Sequence, residues 1–173
     1  MIQIKVYFIS LPVLLIILFI LSACQEQKRV VNIEPVIKSY IEVWNTGDVN
    51  KLDSIVTQNF ELRIVPEFKP LIGIDSLKKV ITETRKMFPD FTVHLEKHIP
   101  AGDTASLDLW TISATYSGDM KNRMESKKIS VPGFSAIFFS GNEITGEWIA
   151  YSDLTLMKQL GFSVVPPKES KKL

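Results

Sequence analysis

The amino-acid sequence predicts an α+β fold in which helices cover one face of an antiparallel sheet. Between residues 33 and 88, apolar residues recur mainly at the three- and four-residue spacing of amphipathic helices. From residue 91 to residue 151, apolar and polar residues alternate in runs separated by turn sequences, as in a meander of strands. The sequence contains no internal repeat, so a single domain is expected.

Helices are predicted from three apolar stripes that precede the meander. Asn32 caps the first helix and Gly47 ends it. Asp48 caps a short second helix, and Asp75 caps the third, which ends before Pro89. The stripes are, in order, Ile33, Val36, Ile37, Tyr40, Ile41 and Trp44; Leu52, Ile55 and Val56; and Leu77, Val80, Ile81, Thr84, Met87 and Phe88.

Strands are predicted where side-chain character alternates. A short strand lies between the helices, and four longer ones follow them, at residues 60–64, 91–98, 104–116, 128–139 and 143–151. Within the fourth of these five strands, Pro132-Gly133 predicts a β-bulge. A short final helix with Leu154, Leu156, Met157 and Leu160 ends at Gly161.

The N-terminus has the three parts of a secretion signal. Lys5 supplies the positive start, residues 6–20 form the apolar run, and the run ends in Leu21-Ser22-Ala23-Cys24. This ending resembles the bacterial lipobox, in which the cysteine sulfur is lipidated before the chain is cleaved just upstream. The resemblance implies a signal peptide over residues 1–23 and lipidation of Cys24. A plain secreted protein and a single membrane span are the alternatives.

The domain organisation follows from this N-terminus. Residues 24–32 are predicted to be a tether, residues 33–162 the folded domain and residues 163–173 a flexible tail. Two or more acyl chains, such as palmitate, hold a protein on a membrane where one does not. We therefore expect a domain that is lipid-anchored to a bacterial membrane of the cell envelope and lies outside the cytoplasm.

The balance of charge excludes nucleic acid as an expected partner. Lys5 is the only charged residue of the predicted signal, so the 20 basic and 19 acidic residues of the chain become 19 of each. Phosphate binding needs a net basic surface. Cys24 is the only cysteine, so the domain is expected to be stable without a disulfide bond.

Four segments follow the pattern of a known family: residues 40–48 (YIEVWNTGD), 88–91 (FPDF), 141–148 (GNEITGEW) and 156–161 (LMKQLG). In this order they resemble the SnoaL-like polyketide cyclases of the nuclear-transport-factor-2-like superfamily. The resemblance implies a cone-shaped domain, with a curved antiparallel sheet wrapped on three N-terminal helices, a short C-terminal helix and a pocket at one end. Because this fold hosts enzymes and binding proteins alike, the resemblance predicts the fold more specifically than it predicts the activity.

The resemblance also implies an acid/base carboxylate four residues after Trp148. That position is Ser152 in this chain, and the nearest aspartate is displaced by one residue, to Asp153. On a regular strand, Trp148, Ala150 and Ser152 would line the pocket, while Asp153 would face away. Asp153 therefore has two candidate roles, as the cap of the last helix and as a catalytic base.

Asp108 is the second candidate base, because it alternates with aromatic residues on one face of a strand. Residues predicted to line the pocket are Tyr40, Trp44, Trp110, Tyr116, Trp148 and Ser152. His94, Glu96 and His98 share a face if their strand is regular, but the two histidines would then be about 13 Å apart. No metal site and no cofactor are predicted.

Three function classes remain open, of which the third is a purely structural accessory to a surface complex, with a cone filled by side chains and no cavity. The leading interpretation is a lipid-anchored domain that binds a small, mostly apolar ligand in its cone pocket. The alternative is an acid/base enzyme that performs polyketide-cyclase-like cyclisation or isomerisation with Asp153 or Asp108. A homodimer through the sheet is a further expectation.

Overall fold

The computed structural model describes residues 32–66, 69–116 and 126–165. The predicted signal peptide, Cys24, the tether up to Val31 and the tail from residue 166 lie outside the described residues. Within the described ranges, no helix is long and apolar enough to cross a membrane.

In the described ranges, three α-helices and one 3-10 helix form close to the predicted positions. They are α1 (Glu34–Thr46), the 3-10 helix (Val49–Ser54), α2 (Ile74–Met87) and α3 (Asp153–Leu160). Gly47 ends α1 as predicted, in the left-handed conformation (φ 79°) that favours glycine.

The predicted N-terminal caps of α1 and α2 are displaced, whereas Asp48 is the N-cap residue of the 3-10 helix as predicted. Ile33 is the N-cap of α1, although the side chain of Asn32 still accepts a hydrogen bond from the Glu34 amide at 3.2 Å. Gly73, not Asp75, is the N-cap of α2. Asp75 lies in the first turn, where its negative charge is favoured by the positive end of the helix dipole. The Asp48 side chain makes no cap bond.

The sheet has six strands, in the order β2-β1-β6-β5-β4-β3. They are β1 (Val56–Ile64), β2 (Leu71–Ile72), β3 (Thr92–Ala101), β4 (Ala105–Tyr116), β5 (Lys127–Ser140) and β6 (Glu143–Tyr151). β1 pairs with β6 in parallel and the other pairs are antiparallel, so the sheet is mixed and not purely antiparallel as predicted. Parallel pairing is possible here because the whole meander separates the two strands along the chain.

The predicted bulge at Pro132-Gly133 is wrong. The β4–β5 register runs unbroken through both residues, with Thr111 opposite Pro132 and Trp110 opposite Gly133. β6 pairs with β5 only up to Tyr151, which is opposite Gly133, so Pro132 lies just beyond that ladder. Proline, which has no amide hydrogen, is tolerated at such a position.

A β-bulge on β6 decides which of its side chains face the helices. Phe138 and Phe139 are opposite Gly146 and Ile144, which leaves Thr145 unpaired. An extra residue reverses the alternation of side chains beyond it. Glu147 therefore faces inward although it is three residues from the inward Ile144.

A second bulge on β3 has the same effect. Leu95 is opposite Trp110 and Lys97 is opposite Leu109, which leaves Glu96 unpaired. His98, which follows Lys97, lies opposite the buried Asp108.

The hydrophobic core lies between the helices and the inner face of the sheet. On the outer face, several large apolar side chains are exposed, namely Leu107, Leu109, Phe134 and Trp148. The sequence analysis predicted a homodimer through the sheet, and dimerisation stays a prediction.

Gly133 provides the space for the Trp110 indole. A Cβ atom at this position would overlap the six-membered ring of Trp110 and the carbonyl oxygen of Ala150. We expect Gly133→Ala to displace the ring and lower the free energy of unfolding by about 1–3 kcal/mol, the usual cost of overpacking. Urea denaturation measures the change. Ser130→Ala, at an exposed position of the same strand, is the control. Equal midpoints for the two variants would contradict the prediction.

Candidate functional site

A cavity of about 250 Å³ lies between α1, α2, α3 and the inner face of the sheet. Most of its wall is apolar, and aromatic side chains supply a large part of it: Tyr40, Trp44, Phe88, Phe91, Trp110 and Tyr151. Polar groups enter this wall at Tyr40, Asp108, Ser135 and Glu147, which are all buried. A mostly apolar cavity with few convergent polar groups is the usual form of a small-molecule site.

The structure brings together Tyr40, Trp44, Trp110 and Asp108, as the sequence predicted, but it leaves out Tyr116 and Trp148. Tyr116 packs on Phe88, with ring centroids 5.7 Å apart.

Trp148 is 47% exposed on the outer face of the sheet. Its ring packs against Phe138 at 5.8 Å, and the Arg63 guanidinium lies 5.4 Å from its centroid. The prediction that Trp148 faces the pocket is wrong because the bulge at Thr145 reverses the strand.

Ser152 and Asp153 also lie outside the cavity. Ser152 is the N-cap of α3, and its Oγ accepts a hydrogen bond from the Thr155 amide at 3.2 Å. Asp153 is the exposed first residue of that helix, so it is neither the predicted cap nor a base within the cavity. It lies beside the Tyr151 hydroxyl: burial raises the pKa of Tyr151, and the charge of Asp153 raises it further.

Asp108 is the buried carboxylate of β4, with 2% of its surface exposed. Its Oδ1 lies 2.5 Å from Nδ1 of His98, and its Oδ2 accepts a hydrogen bond from the Ser106 hydroxyl at 2.6 Å. An ionised aspartate can only accept, so the Nδ1 of His98 is the donor.

The sequence did not predict this role for His98, because it placed His98 on one face with His94 and Glu96. The bulge at Glu96 separates the two histidines, and the side chain of His94 is exposed. Within the part of the chain that the structure describes, no group of three or more histidine, cysteine, aspartate or glutamate residues is placed to hold a metal ion.

Glu147 is the second buried carboxyl group, and the sequence did not single it out. It is 4% exposed, and its Oε2 accepts a hydrogen bond from the Tyr40 hydroxyl at 2.7 Å. Ser135 also donates to Glu147, and the indole Nε1 of Trp110 donates to the Ser135 Oγ at 2.9 Å. The only signal in the sequence was an acidic residue next to the family-like Trp148.

The environment of Glu147 favours its protonated form. Burial raises the pKa of Glu147, and the nearby charge of Asp108 raises it further, whereas the hydrogen bonds from Ser135 and Tyr40 lower it. The net effect is a raised pKa. Burial beside Glu147 raises the pKa of Tyr40 well above its usual range, so the phenol keeps its proton.

Glu147 should make stability depend on pH with a definite sign. Because its pKa is higher in the folded chain than in the unfolded chain, the folded state loses stability as pH rises from the ordinary glutamate range through the raised pKa. Glu147→Gln removes the ionisable group. The unfolding free energy of this variant should therefore increase relative to that of the wild type as pH rises. Urea denaturation at successive pH values measures this difference.

The matched control is Glu143→Gln, which changes an exposed carboxyl group at the start of the same strand. We expect the Glu147→Gln curve alone to diverge from the wild type with pH. A constant difference across the pH range would show that Glu147 does not titrate as described.

The domain is similar to a known protein family and to several solved structures over most of its length. The family model described as SnoaL-like polyketide cyclase matches residues 34–160. A proposed polyketide cyclase from Bacillus cereus is 24% identical, with a TM-score of 0.61 over 73% of this chain and 78% of that one. Another, from Acidithiobacillus ferrooxidans, is 23% identical, with a TM-score of 0.65 over 73% and 92%.

A third structure, IdmH, a proposed polyketide cyclase from Streptomyces antibioticus, is 17% identical, with a TM-score of 0.68 over 76% of this chain and 99% of that one. At these identities the likeness concerns the fold, and it confirms the predicted fold class. No curated protein matches the chain.

Proposed function

The chain belongs to the SnoaL-like polyketide cyclase family, and we propose that its cavity is the active site of an acid/base enzyme acting on a small, mostly apolar molecule. One observation carries this proposal. Two buried carboxyl groups, Asp108 and Glu147, lie at the same apolar cavity in different hydrogen-bonding environments. Pairs of titratable groups whose surroundings differ in this way supply the acid and the base of many enzymes.

Asp108 is the proposed base. It contributes to the cavity wall, and it receives hydrogen bonds from His98 and Ser106 that hold the carboxylate in place. His98 is proposed as a positioning residue, since the structure shows it in contact with Asp108 and not in the cavity wall.

Glu147 is the proposed acid. A protonated carboxyl group in an apolar site can donate a hydrogen bond to a carbonyl oxygen that gains charge during the reaction. Tyr40 and Ser135 fix the orientation of Glu147.

The proposed reaction begins with proton transfer from carbon to oxygen. Asp108 takes a proton from the carbon next to a substrate carbonyl, and the electron pair of that C–H bond moves toward the carbonyl oxygen as an enolate. Glu147 donates a hydrogen bond or its proton to that oxygen. In cyclisation, the enolate carbon attacks a second carbonyl carbon of the same molecule, the π electron pair of that carbonyl moves to its oxygen, and this oxygen takes the proton that Asp108 holds. In isomerisation, Asp108 instead returns its proton to another carbon of a conjugated enolate, and the carbonyl forms again.

Exchange of carbon-bound hydrogen tests this proposal. The full-length protein should accelerate deuterium uptake next to the carbonyl of apolar aryl ketones and 1,3-diketones in heavy water, as measured by mass spectrometry. Asp108→Asn should lower this rate by about 10²–10⁴-fold, the usual contribution of a general base. Asp48→Asn, a matched change at an exposed position outside the cavity, should leave the rate unchanged.

A ligand-binding domain without catalysis is the second candidate, and the largely apolar wall of the cavity favours it. Binding of these ketones without accelerated exchange would support this candidate and contradict the enzyme.

We further propose that Cys24 carries the lipid that holds the domain at the cell envelope, outside the cytoplasm. The support is the Leu21-Ser22-Ala23-Cys24 ending of the apolar run. Metabolic labelling with a fatty-acid analogue should mark the wild type and Ser130→Ala, but not Cys24→Ser, because the modification needs the thiol. Label on Cys24→Ser equal to that of the wild type would rule out this anchor.

A further inference from the structure

We propose that the cavity selects a cationic ligand, a small apolar molecule that carries a basic amine. The inference names a substrate class, and it rests on the proposed function in that the cavity must be the ligand site. The charge of the cavity wall and the chemistry of its apolar part both point to it.

The ionisable groups of the cavity wall are acidic. They are the carboxyl groups of Asp108 and Glu147 and the phenols of Tyr40 and Tyr151. Among the described residues, no lysine, arginine or histidine lines the cavity. Arg85 on α2 is the arginine closest in sequence to the lining residues Thr84 and Met87. Its guanidinium donates instead to backbone carbonyls at the end of α1 and at residues 89 and 91.

Asp108 accepts hydrogen bonds from His98 and Ser106. Of these groups, only Asp108 is part of the cavity wall, so the charge that a ligand meets there is that of Asp108. The effect of this charge already reaches Glu147, whose pKa it raises. A positive charge in the cavity would instead stabilise the negatively charged form of both carboxyl groups.

The apolar part of the wall also favours a cation. Its aromatic rings carry negative potential on their faces, which attracts a desolvated cation. An anionic ligand would meet both this potential and the charge of Asp108, so the same wall excludes it.

The volume sets the size of a suitable probe. A cavity of about 150 Å³ holds benzene, and this one is about 250 Å³. Phenyltrimethylammonium is a somewhat larger molecule with a fixed positive charge. Its neutral isostere is tert-butylbenzene, and benzenesulfonate carries a fixed negative charge on the same ring.

The test compares these three probes on the full-length protein in nanodiscs of zwitterionic lipid, with empty nanodiscs as the blank. Binding is followed by tryptophan fluorescence, since Trp44 and Trp110 line the cavity. We expect the cation to bind about ten-fold more tightly than its neutral isostere and the anion not to bind. Equal or tighter binding of the neutral isostere, or binding of the anion, would overturn the inference.

Two variants locate the source of the preference. Asp108→Asn should bring the affinity for the cation close to that for the neutral isostere, while the neutral affinity, which also reports a folded cavity, stays unchanged. Asp48→Asn removes the same charge at an exposed position outside the cavity and should keep the preference. If Asp48→Asn abolishes it instead, the preference comes from the overall charge of the protein and the inference fails.

The outcome is separable from that of the proposed enzyme. A cation preference without carbon–hydrogen exchange would uphold the ligand class and contradict catalysis. Carbon–hydrogen exchange together with a preference for the neutral probe would uphold catalysis and contradict the ligand class.

Discussion

The phase of side-chain alternation along β6 is the constraint on which the site depends. In a regular strand the side chains alternate between the two faces, and a bulge that takes up one extra residue shifts this alternation by one position for every residue that follows. The single unpaired residue Thr145 therefore turns Glu147 toward the helices and Trp148 toward the outer face. The same device at Glu96 brings His98 to Asp108. Two local irregularities in the ladder thus determine the polar content of an otherwise apolar interior.

Burial of two carboxyl groups in such an interior is tolerable because each accepts two hydrogen bonds. The donors are Tyr40, Ser106, Ser135 and His98, which come from α1, β4, β5 and β3. Every donor depends on the packing of a different element, so the polar network forms only when the whole domain is folded. In the described residues, no fully buried side-chain nitrogen or oxygen lacks a hydrogen-bond partner. The apolar remainder of the core supplies the stability that lets this network persist.

The sequence predicted the fold class, most elements and four residues of the cavity wall, because periodicity and composition report burial directly. Tyr40, Trp44, Trp110 and Asp108 were found in this way. Glu147 and His98 were missed, since counting along a strand assumes regular pairing and neither bulge has a local signature. The bulge that was predicted, at Pro132-Gly133, is absent, because proline there reflects the end of the neighbouring strand and glycine makes room for an indole. The parallel pairing of β1 with β6 joins segments too distant in sequence for any local pattern to report.

The bulge on β6 also bears on how this domain can change over generations. Loss of the single codon for Thr145 would make the pairing between Ile144 and Gly146 regular and would leave the partners of both residues unchanged. Glu147 would stay in the cavity, and Trp148 would stay on the outer face. A lineage could therefore gain or lose the bulge and still keep the acidic group in this cavity, although the number of residues between Ile144 and that group would change. In an alignment of relatives, the position of one gap near this codon would decide which residues are compared as equivalent.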